Sequence, residues 1–440
     1  MSPFGVTPTL ADDGDGGGAG PGGGSAGDSG SGGDWMAPAR GGTRASKCVC
    51  LVIFCACKQT RARRSKSTPS KEARPAAPPV RHELVVAAPT ADASNAVRSA
   101  GFELLDQRDN RLLGSSVLRV RAPAGMGRDT ARRRIAAAVP GSTIANNDLY
   151  QRNRGSYKAA GEGCGQTCSA FTLTAWSDGI GKCSARVRIG MIDTGVDQSH
   201  PALTTARITV KDHRASGRKP SSADHGTGVA SLLVGARNSE VVGLVPDSQL
   251  FAADAFHSEG AEMAADVFAL VAALDWLVEV DVVTINMSLS GPDNAVLLAA
   301  IRKTIERGVV IVAASGPPAS GSSQGYPARY DGVVAVGAID DRMRSSRLST
   351  RGKHIAFAAP GVGLLTAAPA GRLQRVDGTS FASPFVAAAF AMGVATDPAR
   401  PTLASLTERL AGSARDLGAP GRDPVYGWGL IQFTAFAGCR

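Results

Sequence analysis

Three short segments place an acid, a base and a hydroxyl group along the chain in residue types that could build a nucleophilic site. Asp193 ends the apolar run RIGMID, His225 opens the segment DHGTGVASLLVG, and Ser380 lies in GTSFASPFVAAAFA. A histidine that is oriented by a carboxylate can take the proton of a serine hydroxyl and so activate it as a nucleophile. The three segments together predict acyl transfer through an Asp-His-Ser triad.

The motif at Asp193 is ambiguous by itself, because the sequence Asp-Thr-Gly also occurs in aspartic proteases. Those enzymes need two carboxylates that share a proton. The other candidate, Asp28 followed by Ser29 and Gly30, lies in the Gly-rich start of the chain, where we expect disorder. An aspartic protease is therefore disfavoured.

The histidine and serine motifs each have a structural alternative. A lone histidine is more often structural than catalytic, but the small residues after His225, beginning with Gly226, would allow close packing around it. Ser380 could be a helix N-cap, although Thr379 or Ser383 could take that role. The motif order and the missing Gly-x-Ser-x-Gly turn disfavour a lipase-type hydrolase or a transferase.

The elements that would position these motifs alternate between apolar strands and helices. Strands are predicted at 188–193, 250–256, 282–289, 309–315 and 332–339. Helices are predicted at 225–235, 261–279, 294–307 and 379–393. Continuous Val and Ile runs between helices indicate a parallel sheet covered on both faces. Sites in such folds lie at the carboxyl ends of strands, where Asp193, Ser288 and Ser315 fall.

A smaller α+β unit is predicted between His82 and Tyr150. Its strands are predicted at 83–88, 103–107, 115–123 and 142–150, with one helix ending at Gly101 and another at 128–139. The order β-α-β-β-α-β is that of a ferredoxin-like unit. The whole chain therefore divides into a disordered Gly-rich segment 1–43, a signal or anchor segment 44–57, a basic linker 58–81, this unit at 82–150, a Cys-containing connection 151–186 and an α/β domain 187–440.

The apolar run CVCLVIFCAC at 48–57 indicates export. A bilayer span needs about 20 residues, whereas a signal-peptide core of about 7–15 residues fits this run. We expect a secreted, periplasmic or cell-envelope protein that touches a membrane only through an N-terminal anchor. The cysteines outside this run would then form disulfides, with the pairing left open; they are Cys164, Cys168, Cys183 and Cys439.

The positive charge of the chain is concentrated in one segment. The formal net charge is +10, and the segment KQTRARRSKSTPSKEAR at 58–74 carries most of the excess in a Pro- and Ser-containing stretch. No aromatic residues interleave with these charges to form a nucleic-acid surface. A solvated linker is favoured, with no nucleic acid as partner.

With all three motifs in this order, residues 187–435 resemble the subtilisin-like serine proteases, and 82–150 is similar to their inhibitory propeptides. The resemblance implies a three-layer α/β catalytic domain with a parallel sheet. It implies that Asp193 orients His225, which takes the proton of Ser380. It also implies a substrate strand and a facing pocket wall, whose residues would be Ser288, Leu289 and Ser290 on the strand and Ala314, Ser315 and Gly316 on the wall.

The family pattern fails at one position. Its usual segment Ala-Ala-x-Gly-Asn aligns with AASGP, so that Pro317 stands at the oxyanion-stabilising asparagine. Proline has neither a side-chain amide nor a backbone N–H to donate. The backbone N–H of Ser380 would remain as one donor, and Ser322, Ser323 or Gln324 in the following loop could supply another. We expect a slow or selective enzyme.

The resemblance therefore predicts a serine endopeptidase of polypeptides, made as a monomeric zymogen with its own propeptide bound in cis. It predicts no required cofactor, and it leaves calcium open without a carboxylate-rich loop to hold it, since Asp197 suits a turn equally well. The alternative is a catalytically impaired homologue that binds peptides in the same cleft. Pro317 is the residue that favours this alternative.

Overall fold

The computed structural model describes residues 47–51, 54–58, 82–153, 156–159, 166–177, 184, 187–260, 262–318, 324–397 and 401–436. The chain forms two compact units, Met1–Ala76 and Ala77–Arg440. In the first unit, the described backbone is an antiparallel pair of strands, β1 (Lys47–Leu51) and β2 (Phe54–Lys58). In the described part of the chain, no helix has the length and apolar character that crossing a membrane requires.

The second unit begins with elements that follow the predicted β-α-β-β-α-β order. They are β3 (Glu83–Ala88), α1 (Ala93–Ser99), β4 (Glu103–Asn110), β5 (Ser115–Arg121), α2 (Arg128–Ala138) and β6 (Thr143–Asn146). The strands form an antiparallel sheet in the order β4-β5-β3-β6. One face of this sheet packs on α1 and α2 through residues that include Leu84, Val97 and Ile135.

The short elements that follow lead into the larger part of the second unit. They are β7 (Leu149–Arg152), β8 (Ser156–Ala159) and α3 (Gln166–Leu173). The next strands are β9 (Arg188–Asp193), β10 (Arg207–Asp212), β11 (Gln249–Asp254), β12 (Phe256–Glu259), β13 (Glu262–Asp266), β14 (Thr284–Met287) and β15 (Leu289–Pro292). The last strands are β16 (Val310–Ala314), β17 (Gln324–Tyr326), β18 (Val333–Ile339), β19 (Ile355–Pro360), β20 (Leu364–Ala368) and β21 (Arg372–Asp377).

The helices of the larger part cover both faces of one sheet. They are α4 (Asp224–Val234), α5 (Val267–Glu279), α6 (Ala295–Glu306), α7 (Thr379–Ala395) and α8 (Leu403–Ser413). The sheet is parallel, in the order β10-β11-β9-β14-β16-β18-β19. Alternate residues of each strand enter opposite cores, so that Met191 packs with α4 and α7 while Ile192 packs with α5 and α6. This confirms the predicted parallel α/β fold with three layers.

The strand order places one catalytic candidate at the usual position of a site. Strand β9 pairs with β11 on one side and with β14 on the other, and both follow it along the chain. Ligand sites of open parallel sheets lie outside the carboxyl ends of the strands, where the order reverses in this way. Asp193, the last residue of β9, lies there.

Several element boundaries differ from the predictions because the partners of these segments are distant in sequence. The predicted helix at 261–279 begins at Val267, after strand β13. The predicted strands at 250–256 and 282–289 are each divided, at Ala255 and Ser288. The predicted strand at 142–150 is also two strands, and the second, β7, pairs with β13 and β15 rather than with β3.

Candidate active site

Asp193 and His225 form a buried ion-pair geometry at the carboxyl edge of the parallel sheet. His225 Nδ1 and Asp193 Oδ1 are 2.7 Å apart, and each residue is 1% exposed. The same carboxylate oxygen accepts a hydrogen bond of 2.7 Å from the backbone N–H of Thr194. Asp193 is therefore held by its own strand end and in turn fixes the orientation of the imidazole.

Because Gly226 has no side chain, helix α4 can approach the end of strand β9 this closely. A Cβ atom on Gly226 would lie 2.3 Å from the carbonyl oxygen of Thr194 and 2.5 Å from that of Gly195. Instead, the Gly226 N–H donates to Thr194 Oγ1 at 2.8 Å. The glycine directly after His225 therefore sets the distance between the base and the strand that carries Asp193.

Ser380 lies in the first turn of helix α7. Gly378 is the N-cap residue, and no side chain caps the helix, so neither Thr379 nor Ser383 takes the N-cap role that sequence analysis allowed them. Gly378 has φ +156° and lies after the end of β21. Because the first-turn N–H groups of a helix have no helical acceptor, the Ser380 N–H is a donor at the site.

Pro384 leaves the Ser380 carbonyl without its usual helical donor, since proline has no N–H to give to the residue four positions earlier. The hydroxyl of Ser288 donates to this carbonyl at 2.9 Å and is itself bonded by Asn286 Nδ2 at 2.9 Å. The Ser383 hydroxyl also donates to it, at 3.4 Å. The end of strand β14 thus supports the helix turn that carries Ser380.

The Ser380 hydroxyl is hydrogen-bonded to a distant segment of the same chain. Its Oγ donates to the carbonyl oxygen of Asn153 at 3.2 Å. The His225 ring lies 5.1 Å from the ring of Phe381, the residue next to Ser380. Within the described residues, the buried Nε2 atom of His225 has no hydrogen-bond partner. The Ser380 hydroxyl is therefore bonded to a peptide carbonyl rather than to the imidazole of His225, whose ring lies beside the residue next to Ser380.

The segment that carries Asn153 is bound as a strand between two others. Strand β7 pairs antiparallel with β13 on one side and with β15 on the other. Its Arg152 lies opposite Leu289 and its Gln151 opposite Ser290, and the Asn153 N–H donates to the Ser288 carbonyl at 3.5 Å. Such strand addition is a common way to bind extended peptides.

The side chain of Asn153 enters a pocket beside the end of strand β16. Asn153 is 2% exposed, and its Nδ2 donates to the carbonyl of Ala314 at 3.5 Å. A Cβ on Gly316 would lie 2.9 Å from Asn153 Oδ1 and 3.2 Å from Ser290 Oγ. The Ser315 hydroxyl is buried and has no partner among the described residues. The wall predicted from AASG thus surrounds a polar side chain.

Pro317 follows this wall and is half-buried. Thr350 holds the turn, because its hydroxyl lies 2.9 Å from the Gly316 carbonyl and 3.0 Å from that of Pro317. The Gly316 N–H donates a hydrogen bond to Thr379 Oγ1 at 3.2 Å. Ser322, Ser323 and the side chain of Gln324 lie outside what the structure describes, as do the side chains of all four cysteines named above.

A second acid lies beside the buried pair. Asp254 ends β11 directly opposite Asp193 in the parallel register. Burial raises the pKa of Asp254 to about 6, against the opposing effect of Arg214. On the other side of the site, burial raises the pKa of Tyr157 to about 12 although Arg152 opposes the shift. The surroundings of the triad candidates are therefore poorly solvated.

The described residues include no group of three or more His, Cys, Asp or Glu side chains that could hold a metal ion. One carboxylate oxygen of Asp197 accepts the Ser199 N–H of its own turn at 3.0 Å, and the other accepts the N–H of Ala370, between β20 and β21, at 3.0 Å. These hydrogen bonds and that of the Ser199 hydroxyl lower the pKa of Asp197. The arrangement fits the turn role considered for this residue.

Sequence reasoning did not name Asn153 and Tyr150 as site residues. Tyr150 is fully buried, and its hydroxyl donates to the Pro292 carbonyl beside strand β15. The only local signal was the apolar pair Leu149 and Tyr150 at the end of the predicted strand 142–150. That signal predicts a strand and says nothing of its partner.

Comparisons with known proteins agree with this fold. The model of the subtilase family matches residues 184–429. Subtilisin DY from Bacillus licheniformis is 34% identical over 58% of this chain and 91% of its own length. The minor extracellular protease Epr from Bacillus subtilis is 33% identical over 60% of this chain, which spans only 40% of that longer relative.

A solved structure supports the fold independently. Fervidolysin from Fervidobacterium pennivorans, described as a keratinolytic enzyme related to subtilisin, aligns with a TM-score of 0.68 at 19% identity, over 83% of this chain and 62% of its own. Together the matches define the class as a serine-type endopeptidase. The chain belongs to the subtilase family.

Proposed function

We propose that the chain is an exported endopeptidase zymogen in which Asp193, His225 and Ser380 act as the catalytic triad. One observation carries the proposal. The 2.7 Å Asp193–His225 pair and Ser380 are all buried, and the Ser380 hydroxyl donates at 3.2 Å to the carbonyl oxygen of a bound, extended peptide segment. The hydroxyl therefore contacts the carbonyl group whose carbon atom it would attack.

The proposed reaction begins at the Ser380 oxygen. It bonds to the carbonyl carbon of the substrate while His225 Nε2 takes the hydroxyl proton, and Asp193 stabilises the imidazolium that forms. The carbon–nitrogen bond of the peptide then breaks, and the proton passes from His225 to the departing amine. Water, deprotonated by the same histidine, hydrolyses the acyl-enzyme and restores Ser380.

The negative oxygen of the tetrahedral intermediate would have the Ser380 N–H as a donor. Pro317 adds none, because it lacks both an amide side chain and an N–H. An acyl transfer site that lacks one oxyanion donor still exceeds the uncatalysed rate by a large factor. We therefore propose a slow protease rather than an inactive peptide-binding homologue, and the mechanism uses no cofactor.

The zymogen proposal concerns residues 82–153. The sheet of β3 to β6 packs its second face on α5 and α6, through a core shared by Val85, Val117 and Phe268. Strand β7 then fills the cleft up to Ser380. A segment that occupies the cleft in this way excludes other polypeptides, so we propose that it inhibits the enzyme in cis until it is cut. The export proposal draws support from Epr, whose name describes an extracellular protease.

A time course of intact mass tests the proposal. The full chain is expressed as the parent, as Ser380→Ala and as Ser405→Ala, which removes an exposed hydroxyl of helix α8. We expect the parent and Ser405→Ala to be cut and to react with a fluorophosphonate at Ser380, and Ser380→Ala to do neither. A folded parent that neither cuts nor reacts would contradict the proposal and favour the peptide-binding homologue.

A further inference from the structure

We propose that the enzyme first cuts its own chain between Asn153 and Arg154. We further propose that the residues before this bond have the side chains that the enzyme prefers in its substrates. That preference is asparagine directly before the cut bond and tyrosine three residues further upstream. The inference rests on the function proposed above. It goes beyond that function, because it assigns both the bond and the side chains that the cleft selects.

The chain is held on both sides of this bond. Before it, β7 is hydrogen-bonded in register with β15, which brings Asn153 to the Ser380 hydroxyl. After it, β8 pairs antiparallel with β21, with Ser156 opposite Asp377 and Tyr157 opposite Val376. Only residues 154 and 155 lie between the two bound segments. Pairing on both sides keeps the Asn153 carbonyl at the Ser380 hydroxyl.

The pocket at Asn153 suits a short polar side chain. One carboxamide atom, Nδ2, has the Ala314 carbonyl as its partner at 3.5 Å. The other carboxamide atom, Oδ1, would lie only 2.9 Å from a Cβ on Gly316. The pocket therefore depends on a glycine at position 316. The hydroxyls of Ser290 and Ser315 belong to the same polar wall, and an aliphatic side chain there would remove the donor that the Ala314 carbonyl has in Asn153.

The pocket at Tyr150 is shaped for a phenol. A Cβ on Gly291 would lie 2.6 Å from Tyr150 Cδ1, so only glycine leaves room for the ring. The Tyr150 hydroxyl donates to the Pro292 carbonyl, and burial raises its pKa, which keeps it a donor. Beside it the Tyr330 hydroxyl lies 3.0 Å from Asp293 Oδ1 and accepts the Asn294 N–H at 2.8 Å. A site built around a hydroxyl discriminates strongly against an analogue that lacks it.

The alternating residues of the strand give the matched comparison. Successive side chains of a strand point to opposite faces. Leu149 is 37% exposed and Gln151 is also exposed, so neither is selected by a pocket. Arg152 contacts Tyr157 of the same chain, through a hydrogen bond and with its guanidinium 5.4 Å from the ring centre. Selection therefore rests on Tyr150 and Asn153.

The first experiment locates the bond. The full-chain parent is followed by intact mass and N-terminal sequencing, and we expect the earliest product to begin at Arg154. Full-chain Tyr150→Phe and Asn153→Leu should process about 10- to 100-fold more slowly, which is the cost of leaving a buried polar partner unsatisfied. Gln151→Ala should process at the parental rate. Circular dichroism before processing controls for folding.

The second experiment varies the substrate and leaves the protein unchanged. The processed parent is given fluorogenic peptides ending in Tyr-Gln-Arg-Asn, Phe-Gln-Arg-Asn, Tyr-Gln-Arg-Leu and Tyr-Ala-Arg-Asn before the reporter. We expect kcat/KM to fall about 10- to 100-fold for the second and third peptides and to stay within about twofold for the fourth.

The results separate this inference from the function on which it rests. A first cut at another bond, or equal rates for tyrosine and phenylalanine and for asparagine and leucine, would overturn the inference while leaving a working protease. Absence of any cut in a parent that reacts with fluorophosphonate at Ser380 would also overturn it alone. Absence of both the cut and the labelling would overturn the two proposals together.

Discussion

At the residue scale, Pro317 decides how fast this site is expected to work. Its neighbours Gly316 and Thr379 are already hydrogen-bonded to each other, and Thr350 holds the carbonyls of the turn. The position therefore has a defined backbone, and under the proposed mechanism the residue type there decides whether a side-chain donor is available to the developing oxyanion. In a subtilisin, loss of one such donor lowers kcat by about 10²- to 10³-fold.

Replacing Pro317 by asparagine should restore part of that loss. We expect kcat of Pro317→Asn to rise by about tenfold or more, up to the range of about 10²- to 10³-fold, with little change in KM, because the new contact is made in the transition state. Turnover of a fluorogenic peptide by the processed enzyme measures the effect. Pro318→Asn, at the exposed neighbouring position, is the matched control. Equal kcat for the two variants and the parent would count against a missing-donor account.

At the element scale, the junction of α4 and β9 shows why the motif after the histidine needs small residues. The Gly226 position faces two backbone carbonyls, at 2.3 Å and 2.5 Å from an added Cβ. Backbone atoms of a buried strand end cannot move aside as a flexible side chain would. The helix would have to shift, and with it the imidazole that Asp193 holds.

We therefore expect Gly226→Ala to lower the free energy of unfolding by about 1–3 kcal/mol, as overpacking does, and to abolish self-processing. Gly412→Ala is the control, because a Cβ there meets nothing within 4 Å near the end of helix α8. Alanine at that exposed helical site should be neutral or stabilising by up to about 1 kcal/mol. Denaturant unfolding of both in a Ser380→Ala background measures the difference. A Gly226→Ala protein as stable as its control would refute the packing argument.

At the scale of the whole molecule, arginines of the small sheet bind the backbone of residues 213–216 in the larger part, beside the core that the sheet shares with α5 and α6. The Arg108 guanidinium donates to the carbonyls of His213 and Arg214 at 2.9 and 2.7 Å, and that of Arg119 donates to Ser216 at 2.6 Å. His213 is buried there, with its ring 5.2 Å from that of Trp276. Burial, with Lys211 and Arg108 nearby, lowers the pKa of His213 to about 3.

This burial predicts that acid weakens docking of the cleaved fragment. A histidine with a lowered pKa is neutral when docked, so below its free pKa of about 6.5 the undocked state binds more protons. Between pH 6.5 and 5 we expect the dissociation constant of residues 82–153 to rise by up to about tenfold per pH unit. His213→Gln should flatten this dependence. His257→Gln is the comparison, because burial also lowers the pKa of His257, which lies beside Arg218 and Glu259.

Native mass spectrometry or inhibition of peptide cleavage by the fragment measures this affinity. A dissociation constant that does not change with pH in the parent would contradict the prediction. A slope retained in His213→Gln and lost in His257→Gln would instead assign the effect to His257, whose neighbour Arg218 contacts Glu83 of the small sheet at 3.0 Å.

Local sequence was sufficient for much of the fold. Buried Val and Ile runs predicted the parallel strands β9, β14, β16 and β18, because a strand covered on both faces must be apolar throughout. The same reasoning placed Asp193 at a strand end and Ser380 in a first helical turn. It failed at β13, where the segment before α5 was assigned to the helix, since a short strand at the side of a cleft has no strong periodic signal.

The chain's residues by themselves determined the triad motifs, the proline that aligns with the asparagine of the family pattern and the alternation of strands with helices. These depend on residue type and short spacing. Only the tertiary structure decided that Asn153 meets Ser380, because that contact joins positions 227 residues apart. Strand pairing is made through backbone groups that every residue carries, so the side-chain pattern of β7 does not predict which strands it pairs with. The fold determines this pairing, because it brings β13 and β15 to either side of β7.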